Sequence, residues 1–503
     1  MKGSRPYQFA ATGLLVAAYI GLRLWHLTDS CLWFDEIFSV QAAEHSWGEI
    51  FRFIASDLIH PPLFYLLLKV WINLGGEGLF WLRLLPVIAS VLAIFPFVML
   101  VRELKIGRRA EVISFIFLTV NGSLLKYSQE LRMYSLLMWL SLFSMWLFAR
   151  YFVKGKSFVP LVIANVLLVY THYFGWFVLL SEVGLILYFQ RIKWRRALVM
   201  LGVLMAAFLP WLLAVLNAST AGSGLAQNIG WMSRPGIVEI TTFFLNLCEA
   251  FYYRASSVDP YAVYRVTIPV LLILSTAKIL YFLSWPDRTA AEKQNIKLLY
   301  VLTAVPIAAA LLLSWLLPYS IWGTRHLILV FPLVAVFFGI FLDSMTGTHV
   351  RTGALTLLLL FTGYGFVIAF QRPSREFSWC ALEPLANEAL SSQPANIYTV
   401  EDLVAYHTWF AERGNKDIHV YKLTGIAGVA EDKAYFLPRR FDGVVTEYTS
   451  EITDKRFWLL YRTLDHQDYG PAATYLLDDG YVIKDRKTVN YGGETETAIL
   501  LEK

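Results

Sequence analysis

The chain has 503 residues and a formal net charge of +5, and 57% of its residues are hydrophobic. Charged residues make up only 16% of the sequence, against about 25% in an ordinary soluble domain. This composition excludes an ordinary soluble globular protein. The basic residues fall in short clusters between apolar runs, as they do in cytoplasmic loops of membrane proteins, so the positive charge does not indicate nucleic-acid binding.

Apolar runs of about 20 residues recur through the first three quarters of the chain, which predicts a polytopic α-helical membrane protein. We expect about eleven spans, with the N-terminus in the cytoplasm and the C-terminus outside, because basic clusters follow alternate runs. Residues 158–189 are too long for one straight span and predict a tight hairpin that turns outside at 170–175. The predicted spans are residues 8–27, 79–101, 110–125, 134–152, the two arms of 158–189, 197–217, 262–284, 298–317, 326–345 and 353–371.

A polar stretch, residues 28–62, separates two strongly apolar segments. It contains the adjacent carboxylates Asp35 and Glu36 and ends at His60-Pro61-Pro62. Acidic side chains beside a membrane span are costly unless they lie at the water interface or take part in chemistry. Asp35 could act as a general base on an incoming hydroxyl or amine. Equally, a pair of acids at the start of a helix is favoured by the helix dipole.

Further polar side chains occur at the predicted outer ends of spans. The two prolines after His60 stiffen the backbone there, and an arginine at such a position can hold a phosphate through two hydrogen bonds. Each residue taken singly is equally well explained as an interfacial anchor. Their occurrence on one predicted face favours a shared site. The candidate substrate-binding residues are His60, Arg83, Glu130, Arg132, Tyr134, His172, Arg325 and His326.

The composition changes after residue 371. Residues 372–394 are predicted to be a linker, and residues 395–503 a small soluble α/β domain. We expect this domain to face the same outer compartment as Asp35 and Glu36, where neither ATP nor nucleotide sugars are present. The predicted strands are 397–400, 418–423, 457–461 and 497–501, and the predicted helices are 403–412 and 471–477.

The three cysteines are Cys31, Cys248 and Cys380. Their odd number and wide spacing define no disulfide framework. None has metal-ligand spacing with a histidine or another cysteine. We therefore expect isolated buried or interfacial thiols.

Four motifs in order along the chain resemble bacterial glycosyltransferase family 39. This family includes protein O-mannosyltransferases and lipid A aminoarabinose transferases, all of the GT-C fold. The resemblance covers residues 8–371, which we predict to form the transmembrane domain within residues 1–371, with 28–62 as its catalytic outer loop. The motifs are Trp33-Phe34-Asp35-Glu36, His60-Pro61-Pro62-Leu63-Phe64-Tyr65, Arg83-Leu84-Leu85-Pro86 and Glu130-Leu131-Arg132-Met133-Tyr134.

The resemblance implies transfer of a sugar from a polyprenyl-phosphate donor on the outer face of the inner (plasma) membrane. Asp35 would deprotonate the acceptor, with inversion at the sugar carbon, and Glu36 would support it. His60 stands where some members have a lysine, and Arg325 resembles, more loosely, an arginine that holds the donor phosphate. The resemblance also implies that Glu130, Arg132 and Tyr134 line the same cavity.

The resemblance leaves the acceptor open among lipid, glycan and protein, and the C-terminal domain matches no β-trefoil of the mannosyltransferases. A divalent metal, which some GT-C enzymes use, is also left open. The alternative class is a non-enzymatic membrane transporter or a sensor of cell-envelope glycans or lipids. A transporter would be expected to show polar residues within its spans and internal repeats, and neither stands out. The motifs of phosphate-loop, zinc-protease and serine-hydrolase enzymes are missing from the sequence.

Overall fold

The computed structural model describes residues 5–189, 193–219, 229–230, 232–251, 262–345, 347–370, 378–390, 396–425, 436–439, 441–463, 471–491 and 494–503. The chain divides into two compact units. The first, called here the helical unit, comprises Met1–Leu27, His60–Thr220 and Met232–Arg372. The second, called the sheet unit, comprises Thr28–Ile59, Ala221–Trp231 and Pro373–Lys503.

The helical unit is an assembly of apolar helices. Seven helices in the described part of the chain are long and apolar enough to cross a membrane. The predicted class, a polytopic helical membrane protein with a C-terminal α/β domain, is therefore confirmed, and the count of eleven spans stays a prediction. The α-helices that the structure describes in this unit are Arg5–Leu24, Leu63–Gly75, Leu79–Leu92, Ile94–Glu103, Arg108–Val120, Gly122–Ser128, Tyr134–Lys154, Phe158–Thr171, Gly175–Phe189, Trp194–Ser219, Ile237–Cys248, Ala262–Leu283, Ala290–Leu316, Phe331–Asp343 and Thr348–Phe370, and the short 3-10 helices are Trp285–Asp287 and His326–Val330.

Prolines account for two of the helix boundaries. Pro62 is the N-cap residue of the helix Leu63–Gly75, whose 13 residues span about 20 Å and fall short of a bilayer core of about 30 Å. The predicted span 79–101 is divided at Ala93. Pro96 has no N–H to donate to the carbonyl four residues earlier, which accounts for the break.

Close helix packing is built around Gly339. The helix Phe331–Asp343 packs against the helix Arg108–Val120. A Cβ atom on Gly339 would lie 2.1 Å from Ser114 Oγ and 2.3 Å from the carbonyl oxygen of Ala110. Only glycine therefore permits this approach of the two helices.

A polar trio is enclosed among three further helices. Ser144, Asn165 and Glu182 are each fully buried. Ser144 Oγ lies 2.7 Å from Glu182 Oε1 and 2.6 Å from Asn165 Oδ1, and Asn165 Nδ2 donates to Glu182 Oε2 at 2.7 Å. Each residue thus satisfies polar groups of the other two.

The sheet unit contains a six-stranded mixed sheet. The strands are β1 Asn396–Thr399, β2 His419–Thr424, β3 Val444–Tyr448, β4 Arg456–Thr463, β5 Val482–Tyr491 and β6 Glu494–Glu502, in the order β3-β2-β1-β4-β6-β5. The first four strands are parallel to one another, and β6 pairs antiparallel with β4 and β5. The sequence predicted β1, β2, β4 and β6, and did not indicate β3 or β5.

Helices cover both faces of this sheet. Helix Pro471–Asp478 packs on one face with Tyr398, Phe457 and Ile499. On the other face, helix Leu382–Leu390 buries Leu382, Leu385, Ala386 and Ala389. This helix lies within residues 372–394, which were predicted to be a linker. Its apolar face belongs to the domain core, so the described part of that range is not a linker; residues 371–377 and 391–395 lie outside the described part.

Residues 28–59 pack on the same unit, through the helices Phe34–Glu44 and Glu49–Asp57. Cys31 and Cys380 form a disulfide, which corrects the expectation of isolated thiols for these two residues, whereas Cys248 is a buried free thiol as expected. The two cysteines are 349 residues apart in sequence, so no spacing rule indicated the pair. Arg439 Nη1 also donates to the carbonyl oxygen of Ser56 at 3.3 Å. The sequence assigned this stretch to the transmembrane domain, whereas the compact units group it with the C-terminal residues.

Candidate functional site

The acidic pair lies in the first turn of the helix Phe34–Glu44, in the sheet unit. Glu36 is buried, and its carboxylate accepts the backbone N–H of Trp33 at 3.1 Å. Glu36 therefore caps the start of this helix. The side chain of Asp35 is partly exposed. Of the two carboxylates, Asp35 is the one that a substrate can reach more readily.

The helical unit brings together a second group of predicted residues, called here the His–Arg cluster: His60, Arg132, Tyr134, His172 and His326. Every member is located at or next to a helix end. His60 comes just before the helix Leu63–Gly75, Arg132 lies in the turn before Tyr134–Lys154, and His172 is the C-cap residue of Phe158–Thr171. The ends of helices have backbone N–H and C=O groups without hydrogen-bond partners inside the helix, so polar side chains are favoured there.

Arg132 links the His–Arg cluster to the helix Leu63–Gly75. Its Nη2 donates to His60 Nε2 at 3.2 Å, and its Nη1 donates to the hydroxyl of Tyr65 at 3.4 Å. The ring of His172 lies 6.1 Å from that of His60 and 5.3 Å from that of His326 between centroids. The guanidinium is therefore held by His60 and Tyr65, in a buried setting that strengthens its electrostatic effect.

Hydrogen bonds assign the tautomers of the three histidines when they are neutral. His60 Nε2 accepts from Arg132, which can only donate, so His60 carries its proton on Nδ1. His172 Nδ1 accepts the N–H of Phe174 at 3.1 Å, so its proton is on Nε2. His326 Nδ1 lies 3.2 Å from the carbonyl oxygen of Ile321 and must donate to it.

The Nε2–H group of His172 is a buried donor with no acceptor in the described part of the chain. The residue is 4% exposed, and its Nε2 has no hydrogen-bond partner among the residues that the structure describes. Burial lowers the pKa of His172 well below its usual value, with further lowering by His326, His60, Arg132 and Arg325. The ring is therefore neutral near pH 7 and offers a neutral N–H. An unmet buried donor costs about 1–3 kcal/mol, which a ligand oxygen would recover.

The remaining predicted residues surround the cluster less closely. Arg325 is the N-cap residue of the short helix His326–Val330 and is partly exposed. Tyr134 lies 6.4 Å from His172 between ring centroids, and the backbone carbonyl of Glu130 accepts the N–H of Arg132 at 2.7 Å. Arg83 is buried and donates to the carbonyl oxygen of Leu27 at 3.0 Å, which gives it a role in fixing the end of the first helix.

Two aromatic residues of this region were not singled out from the sequence. Tyr127 stacks edge-on against Tyr134 at 5.2 Å, and burial raises its pKa to about 12. Phe174 lies 5.2 Å from the ring of His326. Tyr127 lies within a predicted polar segment, so the polar residues around it could have indicated that it belongs to the site. Nothing in the sequence indicated Phe174, because an aromatic residue at a hairpin turn is common in membrane proteins.

Within the described ranges, no group of three or more His, Cys, Asp or Glu residues is placed to hold a metal ion. The ring centroid of His172 lies 6.1 Å from that of His60 and 5.3 Å from that of His326. Two of their hydrogen bonds engage the ring nitrogens with Arg132 and with a backbone N–H. Those nitrogens are therefore arranged to accept hydrogen bonds from the protein.

Comparison with known proteins gives the fold. No protein-family profile and no curated protein sequence matches the chain. The solved structure of ArnT from Cupriavidus metallidurans bound to undecaprenyl phosphate matches with a TM-score of 0.60 and 14% identity, over 97% of this chain and 98% of that chain. The structure of the same protein in the apo state matches with a TM-score of 0.57 and 13% identity, again over 97% of this chain and 98% of that chain. An oligosaccharyltransferase of Archaeoglobus fulgidus, in complex with Zn and sulfate, matches with a TM-score of 0.47 and 13% identity, over 79% of this chain and 61% of that chain.

The match to ArnT extends over both units of the chain. At this identity it defines the fold, which is that of the GT-C membrane proteins, and the fold predicted from the four motifs is confirmed. The chain is thus a multi-pass helical membrane protein of GT-C type with a C-terminal α/β domain.

Proposed function

We propose that this chain is an integral-membrane glycosyltransferase, which moves a sugar from a polyprenyl-phosphate donor to an acceptor on the outer face of the inner (plasma) membrane. The observation that carries the proposal is the His–Arg cluster in a GT-C fold. The similar ArnT structure is bound to undecaprenyl phosphate. A buried arginine together with imidazole N–H donors can bind the phosphate group of such a lipid.

The cluster suits an anion for two reasons. The guanidinium of Arg132 is planar and permanently charged, so it can present two N–H groups to phosphate oxygens. His172 Nε2–H is buried and lacks an acceptor in the described structure, so a phosphate oxygen would complete its hydrogen bonding. A leaving phosphate gains negative charge in the transition state, and fixed donors in a dry site stabilise that charge.

Asp35 is proposed as the general base. The reaction needs removal of a proton from the acceptor hydroxyl or amine as it attacks the sugar carbon. The partial exposure of Asp35 and its position in the motif Trp33-Phe34-Asp35-Glu36 support this role. Glu36 supports it indirectly, since its carboxylate caps the helix that carries Asp35.

The disulfide supports the proposed location. Disulfides persist in oxidising compartments and are rare where thiol reductants are abundant. The bond between Cys31 and Cys380 therefore favours an outer position for residues 28–59 and for the C-terminal domain. With basic clusters on the opposite side of the predicted spans, the N-terminus is proposed to lie in the cytoplasm.

The test is transfer of label from a panel of radiolabelled polyprenyl-phosphate sugars into membrane extracts. We expect product from the wild type and a loss of at least 100-fold in Asp35→Asn, since general base catalysis contributes about 10²–10⁴-fold. The matched control is Asp417→Asn, an exposed acid of the same unit. Equal activity in wild type and Asp35→Asn would remove Asp35 as the base, and no product with any donor would favour the transporter or sensor alternative.

A further inference from the structure

The helix that carries Asp35 is short. It comprises Phe34–Glu44, 11 residues, and an isolated helix of fewer than about 12–15 residues is marginal in water. Its geometry must therefore come from the surface on which it packs. Two surfaces support it: the helix Glu49–Asp57, where the rings of Phe38 and Phe53 lie 5.2 Å apart between centroids, and the C-terminal domain, through the helix Asp402–Glu412.

Contacts with this domain are distributed along the whole length of the Asp35 helix. Before its first turn, Cys31 is bonded to Cys380. At its first residue, the ring of Phe34 lies 4.9 Å from that of Tyr406 between centroids.

The second half of the helix is held by polar contacts. The hydroxyl of Tyr406 donates to Gln41 Oε1, and both residues are buried. At the last residue, Arg413 Nε donates to Glu44 Oε1 at 3.1 Å. The disulfide, the Phe34 ring contact, the Tyr406 hydroxyl and the Arg413 ion pair together restrain translation, rotation and tilt of the helix.

We infer that the C-terminal domain positions the general base: Cys380, Tyr406 and Arg413 act as positioning residues that fix the helix bearing Asp35. The inference rests on the proposed function of Asp35. A base must sit within hydrogen-bond reach of the proton it removes, and a displacement of about 1 Å costs about 100-fold in rate. The domain would thus affect the chemical step without contacting the donor.

The test uses the full-length protein in detergent and three changes: Tyr406→Phe, the pair Cys31→Ser with Cys380→Ser, and Arg413→Glu. Hydrogen exchange of the amides in 38–44 is measured first, because it reports on the helix without any assay of activity. We expect exchange to become at least 5-fold faster in the Tyr406→Phe and double-serine proteins. Lys503→Ala is the matched control, since it breaks an exposed ion pair with Asp479 in the same unit.

Transfer kinetics and donor binding are then measured per folded enzyme. We expect kcat to fall about 10-fold or more, up to the 100-fold of a 1 Å displacement, while donor affinity stays within 2-fold of wild type. The charge-exchanged pair Glu44→Arg with Arg413→Glu should recover most of the kcat that Arg413→Glu alone loses. A domain that served only stability would lower the yield of folded protein and leave kcat per folded enzyme unchanged.

The outcomes separate the two proposals. Unchanged exchange in 38–44 would overturn the positioning role, and so would faster exchange with an unchanged kcat. Loss of donor affinity in parallel with kcat would also overturn it. If the wild type transferred no sugar from any donor, the proposed function would fail, and the exchange result would still decide whether the domain holds the helix.

Discussion

The hydroxyl oxygen of Ser144 lies 2.7 Å from Glu182 Oε1 and 2.6 Å from Asn165 Oδ1. A hydroxyl has one proton, so it can donate to one of these oxygens only. Exchanging the oxygen and nitrogen of the Asn165 amide moves the conflict to its contact with Glu182 Oε2. In either arrangement one of the three contacts lacks a donor unless the carboxyl group carries a proton. Glu182 is therefore a neutral acid in the interior of the helical unit.

A first prediction follows for Glu182. Glu182→Gln places an amide N–H where the acid has its O–H, so we expect a change of less than about 1 kcal/mol in stability. Glu182→Ala leaves Ser144 and Asn165 short of partners and opens a cavity, with an expected cost of about 2–5 kcal/mol. Thermal unfolding of the purified protein in detergent checks both. An equal loss of thermal stability in the two variants would contradict the conclusion that Glu182 is protonated.

A second prediction concerns helix packing at Gly339. Gly339→Ala would put a methyl group into the backbone carbonyl of Ala110, which cannot rotate away. We expect a loss of about 1–3 kcal/mol, the usual cost of overpacking, seen as a lower thermal midpoint. Gly353→Ala serves as control, because nothing lies within 4 Å of a Cβ atom at that position of another apolar helix. The same loss in both variants would refute the packing argument.

A third prediction tests the anion site through Arg132. Lysine keeps the charge but has a single nitrogen, so it does not reproduce the geometry in which two separate nitrogens of Arg132 donate to His60 and Tyr65. Arg132→Lys should weaken binding of undecaprenyl phosphate about 10-fold or more, since hydrogen bonds to charged groups contribute about 1.5–3 kcal/mol. Arg109→Lys, at an exposed position of the same unit, should bind as wild type does. Unchanged affinity in Arg132→Lys would place the phosphate elsewhere.

A fourth prediction concerns acid stability of the C-terminal domain. Burial, and then the nearby charge of Arg462, lowers the pKa of His407 to about 3. A depressed histidine pKa contributes stability that is complete above the unfolded value of about 6.5 and is lost as pH falls from there towards 3. Each pH unit in that window costs about 1.4 kcal/mol. His407→Gln should reduce the fall in thermal midpoint between pH 7 and pH 5.

The control for this pH effect is His419→Gln, because His419 is exposed in the same sheet. It should retain the acid sensitivity of the wild type. If His407→Gln destabilised the protein equally at pH 7 and pH 5, the buried imidazole would not be the source of the acid effect.

The helices of the membrane part were largely predictable, because a long apolar run has few ways to satisfy its backbone other than a helix. Strand prediction succeeded for the centre of the sheet and failed at its edges. The missed strands β3 and β5 are the two outermost ones. Edge strands carry charged residues that discourage pairing with other chains, and the run Lys484-Asp485-Arg486-Lys487 in β5 conceals the pattern of a strand.

The residues that form the His–Arg cluster were predictable from the sequence, and the geometry of the cluster was less so. The His–Arg cluster consists entirely of residues chosen from the sequence, because each stands at the predicted outer end of a helix. The tautomers and the hydrogen bonds of Arg132 depend on side-chain directions that no periodicity encodes. The pairing of Cys31 with Cys380 and the grouping of 28–59 with the C-terminal domain depend on tertiary contacts between distant parts of the chain.

The Cys31–Cys380 bond also fixes an order of events during synthesis. Cys31 leaves the ribosome with the first helix, whereas its partner follows 349 residues later, after every apolar helix has been made. At about 5–20 residues per second, the first cysteine waits at least 17 seconds for the second. The helix Phe34–Glu44 can therefore gain its contacts with Cys380, Tyr406 and Arg413 only after residue 413 has been made, and a ribosome that stops before that point releases a product without them.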